Sequence, residues 1–322
     1  MLKRPRRNRR TPAIRSLVSE TLLSPADLVA CFFVVEGKKR REEIPSLPQV
    51  FKLSVDELVK EAEALHKKGI PAVALFPIVD PSLKNFIGDE ALNEKGVIPQ
   101  AILRLKKEIP TLCVITDIAL DPFTSHGHDG LLDGRDDVDN DKTLEVLARM
   151  AHLHASCGVD FVAPSDMMDG RVRAIRTHLD AHDLTQVGII AYTAKYASSL
   201  YAPYREALAS TLARGDKKTY QMNPANAREA LLEAALDAEE GADILLVKPG
   251  LFYLDIIAKM RSSIPLPICA FHVSGEYAMV MAAHEKGYLD APKVFLEALT
   301  CFKRAGTDFV FSYAAPMLLD LL

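Results

Sequence analysis

Lys248 directly follows the apolar run ILLV, and Lys195 closes the apolar run GIIAYTA. Each lysine would therefore emerge from a dry interior. A lysine amine attacks a carbonyl only after losing its proton, and burial beside a second cation lowers its pKa toward that state. The chemistry this pair suits is Schiff-base formation. Other polar residues close similar runs: Asp117 with Asp121, Ser165 with Asp166, then Ser274 and Tyr313. Any one alone reads as a cap or a surface group. As a set at successive strand ends they read as one site.

The run DPFTSHGHDG at 121–130 adds His126, His128 and Asp129 to Asp117 and Asp121. Oxygen ligands favour Mg2+ and imidazoles accept Zn2+, so the run could bind metal. It could equally be a polar turn whose aspartates salt-bridge the lysines, and the residues leave both readings open. The stretch 196–221 is long for a connection between a strand and a helix and holds a polar turn at Arg214-Gly215-Asp216. Long loops over a barrel mouth often act as lids. Tyr201, Tyr204, Arg205, Lys217, Lys218, Tyr220 and Gln221 lie in it. These cations suit an anionic substrate, and Arg205 can grip a carboxylate through two parallel hydrogen bonds.

Short apolar runs predict strands at 30–35, 72–76, 113–119, 160–163, 188–192, 244–247, 268–272 and 309–313. Helical stretches at 54–66, 141–156, 226–240 and 252–261 fall between them. Ser54 and Glu57 have capping-box spacing. Gly69, Gly158, Gly241 and Gly306 stand where helices must turn back to the sheet. Continuous apolar runs mark parallel strands buried on both faces. Eight of them alternating with helices predict an α/β fold, a closed (β/α)8 TIM barrel with its active site at the C-terminal strand ends. A doubly wound sheet is the alternative, but no Gly-rich dinucleotide fingerprint follows any strand.

The chain's 322 residues, 49% hydrophobic and 25% charged, fit one such barrel. A net charge of −4 argues against a nucleic-acid binder. No apolar run approaches the roughly 18 residues of a membrane span, and no apolar segment follows the basic start as in a secretory signal. Cys31, Cys113, Cys157, Cys269 and Cys301 are scattered without a C-x-x-C pair. They are expected to be reduced core residues of a cytoplasmic protein. The opening MLKRPRRNRR allows a polyanion contact, a solvated tail or an arm on a neighbouring subunit. Apolar residues at 14–23 need a partner surface, which favours an oligomerisation arm at 1–28 ahead of a catalytic barrel at 29–322.

AKYAS at 194–198, VKPG at 247–250, PSDMMDG at 164–170 and VSGEYAM at 273–279 resemble the porphobilinogen synthase, or delta-aminolevulinic acid dehydratase, family. RRNRR at 6–10, YQM at 220–222 and FKRAG at 302–306 match as well. The resemblance spans nearly the whole chain. It implies condensation of two 5-aminolevulinate molecules to porphobilinogen, with loss of two waters, in tetrapyrrole synthesis. Lys248 and Lys195 would each serve one substrate. Ser274 and Tyr313 would bind one carboxylate; Arg205, Lys217 and Gln221 the other. Asp117, Ser165 and Asp166 would recognise the amine and relay protons, and Tyr201 and Tyr204 would line the pocket.

Zinc-dependent members resemble D-V-C-L-C-P…H-C-G, whereas this chain has Ala119, Asp121 and Asp129 at the three cysteine positions. A thiolate zinc site cannot form there. The resemblance is to the aspartate-rich, magnesium-responsive branch, which implies an allosteric Mg2+ with Glu233 as its carboxylate contact. Glu233 itself reads as an exposed-face helical residue. Asp121 and Asp129 would act as metal-loop ligands, or through water, lysine contacts or a monovalent cation. A homo-octamer is implied, with a hexamer as the rearranged form, and no nucleic-acid or membrane partner. A Schiff-base class I aldolase-type lyase on the same barrel is the alternative, and it needs only one essential lysine. A polyanion-binding protein using the arm is the alternative from another class.

Overall fold

The computed structural model describes residues 2–208, 212 and 215–322. Eight parallel strands close into a barrel: β1 (Leu28–Val35), β4 (Ala72–Ile78), β5 (Cys113–Ile118), β6 (Phe161–Pro164), β7 (Gly188–Lys195), β8 (Ile244–Lys248), β9 (Ile268–His272) and β10 (Phe309–Ser312). Neighbours pair in this order, and β10 returns to β1 through Leu28 opposite Val310. Every residue of β1 and β9 is buried, as expected of strands covered on both faces. The fold is the (β/α)8 barrel, and all eight expected strands are present.

The outer layer comprises α2 (Val55–Lys67), α3 (Val97–Glu108), α4 (Asn140–Ser156), α5 (Arg171–Asp180), α7 (Arg228–Glu240), α8 (Leu254–Ser263), α9 (Ser274–Glu285) and α10 (Ala291–Ala305). Short helices α1 (Pro12–Leu17), α6 (Ala202–Ala207) and α11 (Ala315–Leu318) complete the set. In α2, Leu58, Val59, Ala62 and Leu65 form the buried stripe; in α10, Phe295, Ala298, Leu299 and Phe302 do so. Gly69, Gly158, Gly241 and Gly306 all have φ between 95° and 122°. Each follows a helix in the left-handed region that a side chain resists.

Several local expectations are corrected. Ser54 precedes α2, but its hydroxyl bonds Asp56 at 2.6 Å and the Arg40 amide at 2.9 Å. Glu57 pairs with Lys60 instead, so no capping box forms. The helix expected from 226 begins at Arg228, and the one expected from 252 opens as a 3-10 turn before Leu254. Among the cysteines only Cys31 and Cys269 are buried, and all five are free thiols.

An antiparallel hairpin, β2 (Arg41–Ile44) with β3 (Leu47–Leu53), extends the sheet beside the C-terminal end of β1. The Tyr277 hydroxyl on α9 donates to the Pro48 carbonyl at 2.6 Å and ties this hairpin to the barrel mouth. β1 begins at Leu28, at the last residue assigned to the arm. Ahead of it, a 3-10 turn at Pro5–Arg9 and α1 bury no residue; Leu2 and Leu17 are 96% and 85% exposed. Among the described residues, no helix is long and apolar enough to cross a membrane.

Candidate active site

Strand register sets the site. Lys195 on β7 is the direct parallel partner of Lys248 on β8, so both chains leave the sheet at the same level. They share the mouth with Ser165 after β6 and Asp121 after β5. Tyr201, Tyr204 and Arg205 come from the segment through α6, and Lys217 and Gln221 from the return of that segment. These nine residues line one cleft, and all were expected site residues. Arg214, at the centre of the expected polar turn, lies outside the described residues, as do 209–211 and 213.

The two lysines have opposite surroundings. Lys195 Nζ donates to Asp129 Oδ2 at 2.8 Å and to the Ser165 carbonyl. Burial alone would lower its pKa, but Asp129 and Asp121 overcome that and hold it above its ordinary value. Lys248 has no carboxylate within ion-pair distance among the described residues. Its ammonium lies 4.8 Å from the Phe271 ring centre, 5.1 Å from Tyr192, 5.3 Å from Tyr204 and 5.4 Å from Tyr201. Burial, then the Lys195 charge, lowers its pKa to about 8. Lys248 is thus the readier nucleophile, and Lys195 is the neighbouring cation that helps make it so.

Asp129 is the counter-ion for the whole group. It is fully buried, with one oxygen on Lys195 and the other on Lys217. Although burial opposes its charge, the two lysines hold its carboxyl well below the usual range. Asp121 Oδ2 is 3.6 Å from Lys217. His126 and His128 do not converge on these carboxylates: His126 contacts the Phe86 carbonyl at 3.1 Å, and His128 the Tyr220 hydroxyl at 3.0 Å. Of the two readings of this run, the geometry matches aspartates salt-bridged to lysines. A divalent cation between Asp121 and Asp129 would have to displace two ammonium groups.

Other expected residues lie behind the cleft wall. Asp117 Oδ1 is buried without a partner, and burial lifts its pKa to about 7 against the pull of Lys248. Such a group is matched to proton transfer near neutrality. Asp166 does not line the cleft. It accepts the Met168 amide at 2.7 Å, lies 3.9 Å from the Arg171 guanidinium, and is raised by burial to about 6. Arg171 also reaches Asp237 and the Tyr192 carbonyl, both at 3.2 Å. Asp166 therefore belongs to a buried network behind β6 and β7. Ser274 is buried at the start of α9; its hydroxyl donates to the Leu200 carbonyl and accepts the Tyr204 amide. Tyr313 stacks on Phe33 at 5.7 Å, beyond Phe271.

Arg205 and Gln221 are two unsatisfied polar groups of the lining. Arg205 has no ion-pair partner among the described residues, and the buried Gln221 Oε1 has no hydrogen-bond partner. Glu233 lies elsewhere, half-buried on α7 rather than on an exposed face. It lines a second cleft with Asn140, Asp169 and Glu229, and burial raises it to about 7.

Tyr192 and Phe271 were not anticipated. Regular alternation would send Tyr192 and Lys195 to opposite faces, but the pairing of β7 shifts between Ala191 and Ala194. That irregularity turns both toward the mouth. Phe271 shows only as an aromatic in an apolar strand. Tyr220, named in the sequence but given no role, accepts the Asp129 backbone amide at its hydroxyl at 3.4 Å. Glu276 was missed as well: fully buried, it accepts the Val273 and Leu251 amides at 2.8 Å each and joins the turns after β9 and β8.

A barrel mouth that pairs a desolvated, charge-lowered lysine with a salt-bridged one is equipped for imine chemistry on carbonyl substrates. Residues 2–321 match the family described as delta-aminolevulinic acid dehydratase. The chain is 52% identical over 321 residues to the delta-aminolevulinic acid dehydratase of Chlamydia pneumoniae, covering 99% of this chain and 96% of that one. It is 50% identical over 315 residues to that of Bradyrhizobium diazoefficiens, covering 97% and 89%. Its structure superposes on that of the Toxoplasma gondii ME49 enzyme, solved with the reaction product porphobilinogen. There the TM-score is 0.98 at 48% identity, covering 100% of this chain and 92% of that one. The chain belongs to the delta-aminolevulinic acid dehydratase family.

Proposed function

We propose that this chain is a lyase that condenses two 5-aminolevulinate molecules to porphobilinogen in heme biosynthesis. Family membership supports it, and the observation that carries the mechanism is the register pairing of Lys195 with Lys248. Lys248, the more readily deprotonated amine, forms the first imine. An imine makes the former ketone carbon more electrophilic and acidifies the adjacent C–H. Lys195 serves the second substrate, with Asp129 holding its ammonium until substrate arrives. Fixing both substrates on adjacent strands turns a bimolecular condensation into a positioned one, worth several kcal/mol.

The unpaired Arg205 and Gln221, with Lys217, bind the carboxylate of the substrate under the 196–221 segment. Ser274 and Tyr313 serve the other carboxylate, which requires the Ser274 hydroxyl to exchange its present partners. Tyr201 and Tyr204 wall the first subsite. Asp117, poised near neutrality, carries protons, and Ser165 presents the amine-side surface. Asp166 acts by fixing the loop behind Ser165. Lysine labelling tests this reading. Borohydride with 5-aminolevulinate should inactivate the enzyme and modify Lys248. Inactivation that leaves Lys248 unmodified, or no inactivation, would reject it, while an aldolase would tolerate loss of Lys195.

In this reading magnesium binds in the second cleft. The half-buried Glu233, with Asp169 and Glu229 nearby, is an oxygen-rich surface of the type a hard cation selects. Bound there, Mg2+ would act allosterically by ordering the Lys218–Asn223 return that carries Gln221. The exposed arm supports a homo-oligomer; we propose an octamer with a hexameric alternative, in the cytoplasm. Added Mg2+ should stimulate the parent enzyme and leave Glu233→Ala unchanged.

A further inference from the structure

Away from the catalytic mouth, three imidazoles meet on the outer helical layer. His152 belongs to α4 and His178 to α5, while His182 lies just past α5, four residues after His178. Ring centres are 4.4 Å apart for His178 and His182, 4.5 Å for His152 and His182, and 5.3 Å for His152 and His178. Each ring offers one nitrogen within 4.8 Å of the other two. α5 leads into the start of β7, so the trio sits toward the N-terminal face of the barrel, opposite Lys195 and Lys248.

Packed surface rings could explain proximity alone. Two further observations point to a ligand. Nδ1 of His152 is buried without a hydrogen-bond partner, which carries a desolvation cost that a coordinate bond would remove. Nδ1 of His182 donates to the His178 carbonyl at 2.7 Å. That bond fixes the tautomer and leaves the Nε2 lone pair free, as backbone carbonyls do for metal-bound histidines. Burial, the other two rings and Arg149 on α4 also hold His178 below its ordinary pKa, which favours the neutral form a ligand needs. The neighbouring Asp180 is already paired with Arg176 at 2.6 Å.

We propose that His152, His178 and His182 form a binding site for a borderline transition-metal cation of the Zn2+, Ni2+ or Cu2+ class, clamping α4 to α5. Three imidazoles with an open fourth position for water satisfy such an ion. They offer Mg2+ none of the oxygens it needs. The site is separate in place and in metal preference from the Glu233 cleft and takes no part in the condensation.

Full-length protein without a histidine tag, stripped of metal, is titrated with Co2+ while its visible absorption is followed. One Co2+ per chain is expected, displaced by Zn2+ but not by excess Mg2+, with a rise in melting temperature. The His178→Ala/His182→Ala variant should bind at least ~10-fold more weakly, lose the thermal shift and keep parental activity. His182→Gln, at the exposed ring, should also weaken binding and guards against misfolding of the double variant. Equal Co2+ binding by parent and both variants overturns the site, as does absence of saturable binding in the parent.

Discussion

Lys248 and Lys195 differ in one respect that decides their chemistry: only Lys195 has a carboxylate. The Lys248 amine loses its proton near pH 8, so imine trapping should accelerate as pH rises through that value instead of near the ordinary lysine range. Lys195→Met removes a neighbouring cation and should move this midpoint upward; an unmoved midpoint in pH-dependent trapping rates would refute the coupling. Asp129→Asn strands the buried Lys195 ammonium and leaves Lys217 only Asp121 at 3.6 Å, and should cost about 3–5 kcal/mol in urea unfolding. The folded Asp129 pKa is depressed, so its stabilisation is present above the ordinary carboxylate pKa and lost only as pH falls toward the folded value. The gap between parent and variant should therefore persist at pH 5. Lys195 and Lys248 were legible in the sequence because charge at the end of an apolar run is conspicuous. Asp129 as a shared counter-ion was legible only as one of two readings. Tyr192 was not, because a shift in strand pairing leaves no mark in residue order.

Among the elements, α9 is fitted most closely to the site. A Cβ on Gly275 would lie 2.5 Å from the Leu200 carbonyl oxygen and 2.6 Å from its Cα. The missing side chain lets Ser274 reach both Leu200 and Tyr204. Gly275→Ala should force α9 away, cost about 1–3 kcal/mol by overpacking, and displace Tyr204 from Lys248. Activity should fall more than the urea midpoint indicates. Strands were readable because both faces of each are buried, which makes them continuous apolar runs. α9 was not, since SGEYAMVMAAHE is apolar on more than one face and shows no clear stripe. The hairpin escaped too: REEI is largely charged and exposed, and Pro48 interrupts the pattern of β3.

For the molecule as a whole, the informative imbalance is an arm whose leading turn at Pro5–Arg9 and helix α1 bury no residue. The basic, apolar-flanked composition of residues 1–28 is the reason to expect a partner surface; the geometry of such a partner would be a property of the assembly, which one chain's residue order does not encode. Deleting residues 1–10 should reduce assembly size in analytical ultracentrifugation. Unchanged assembly and activity, with lost polyanion binding, would show the arm serves something else.

The pairing of Lys195 with Lys248 across β7 and β8 has a metric consequence. Adjacent strands in any sheet stand about 4.8 Å apart, and backbone hydrogen bonds maintain that pitch whatever the side chains do. The roots of the two proposed imines are thus gauged by the barrel itself. Exchanging Arg205, Gln221 or Ser274 can change which acids are held, but not how far apart two captured ketones begin. A keto acid one carbon longer should still be caught by either lysine, yet meet its neighbour out of step.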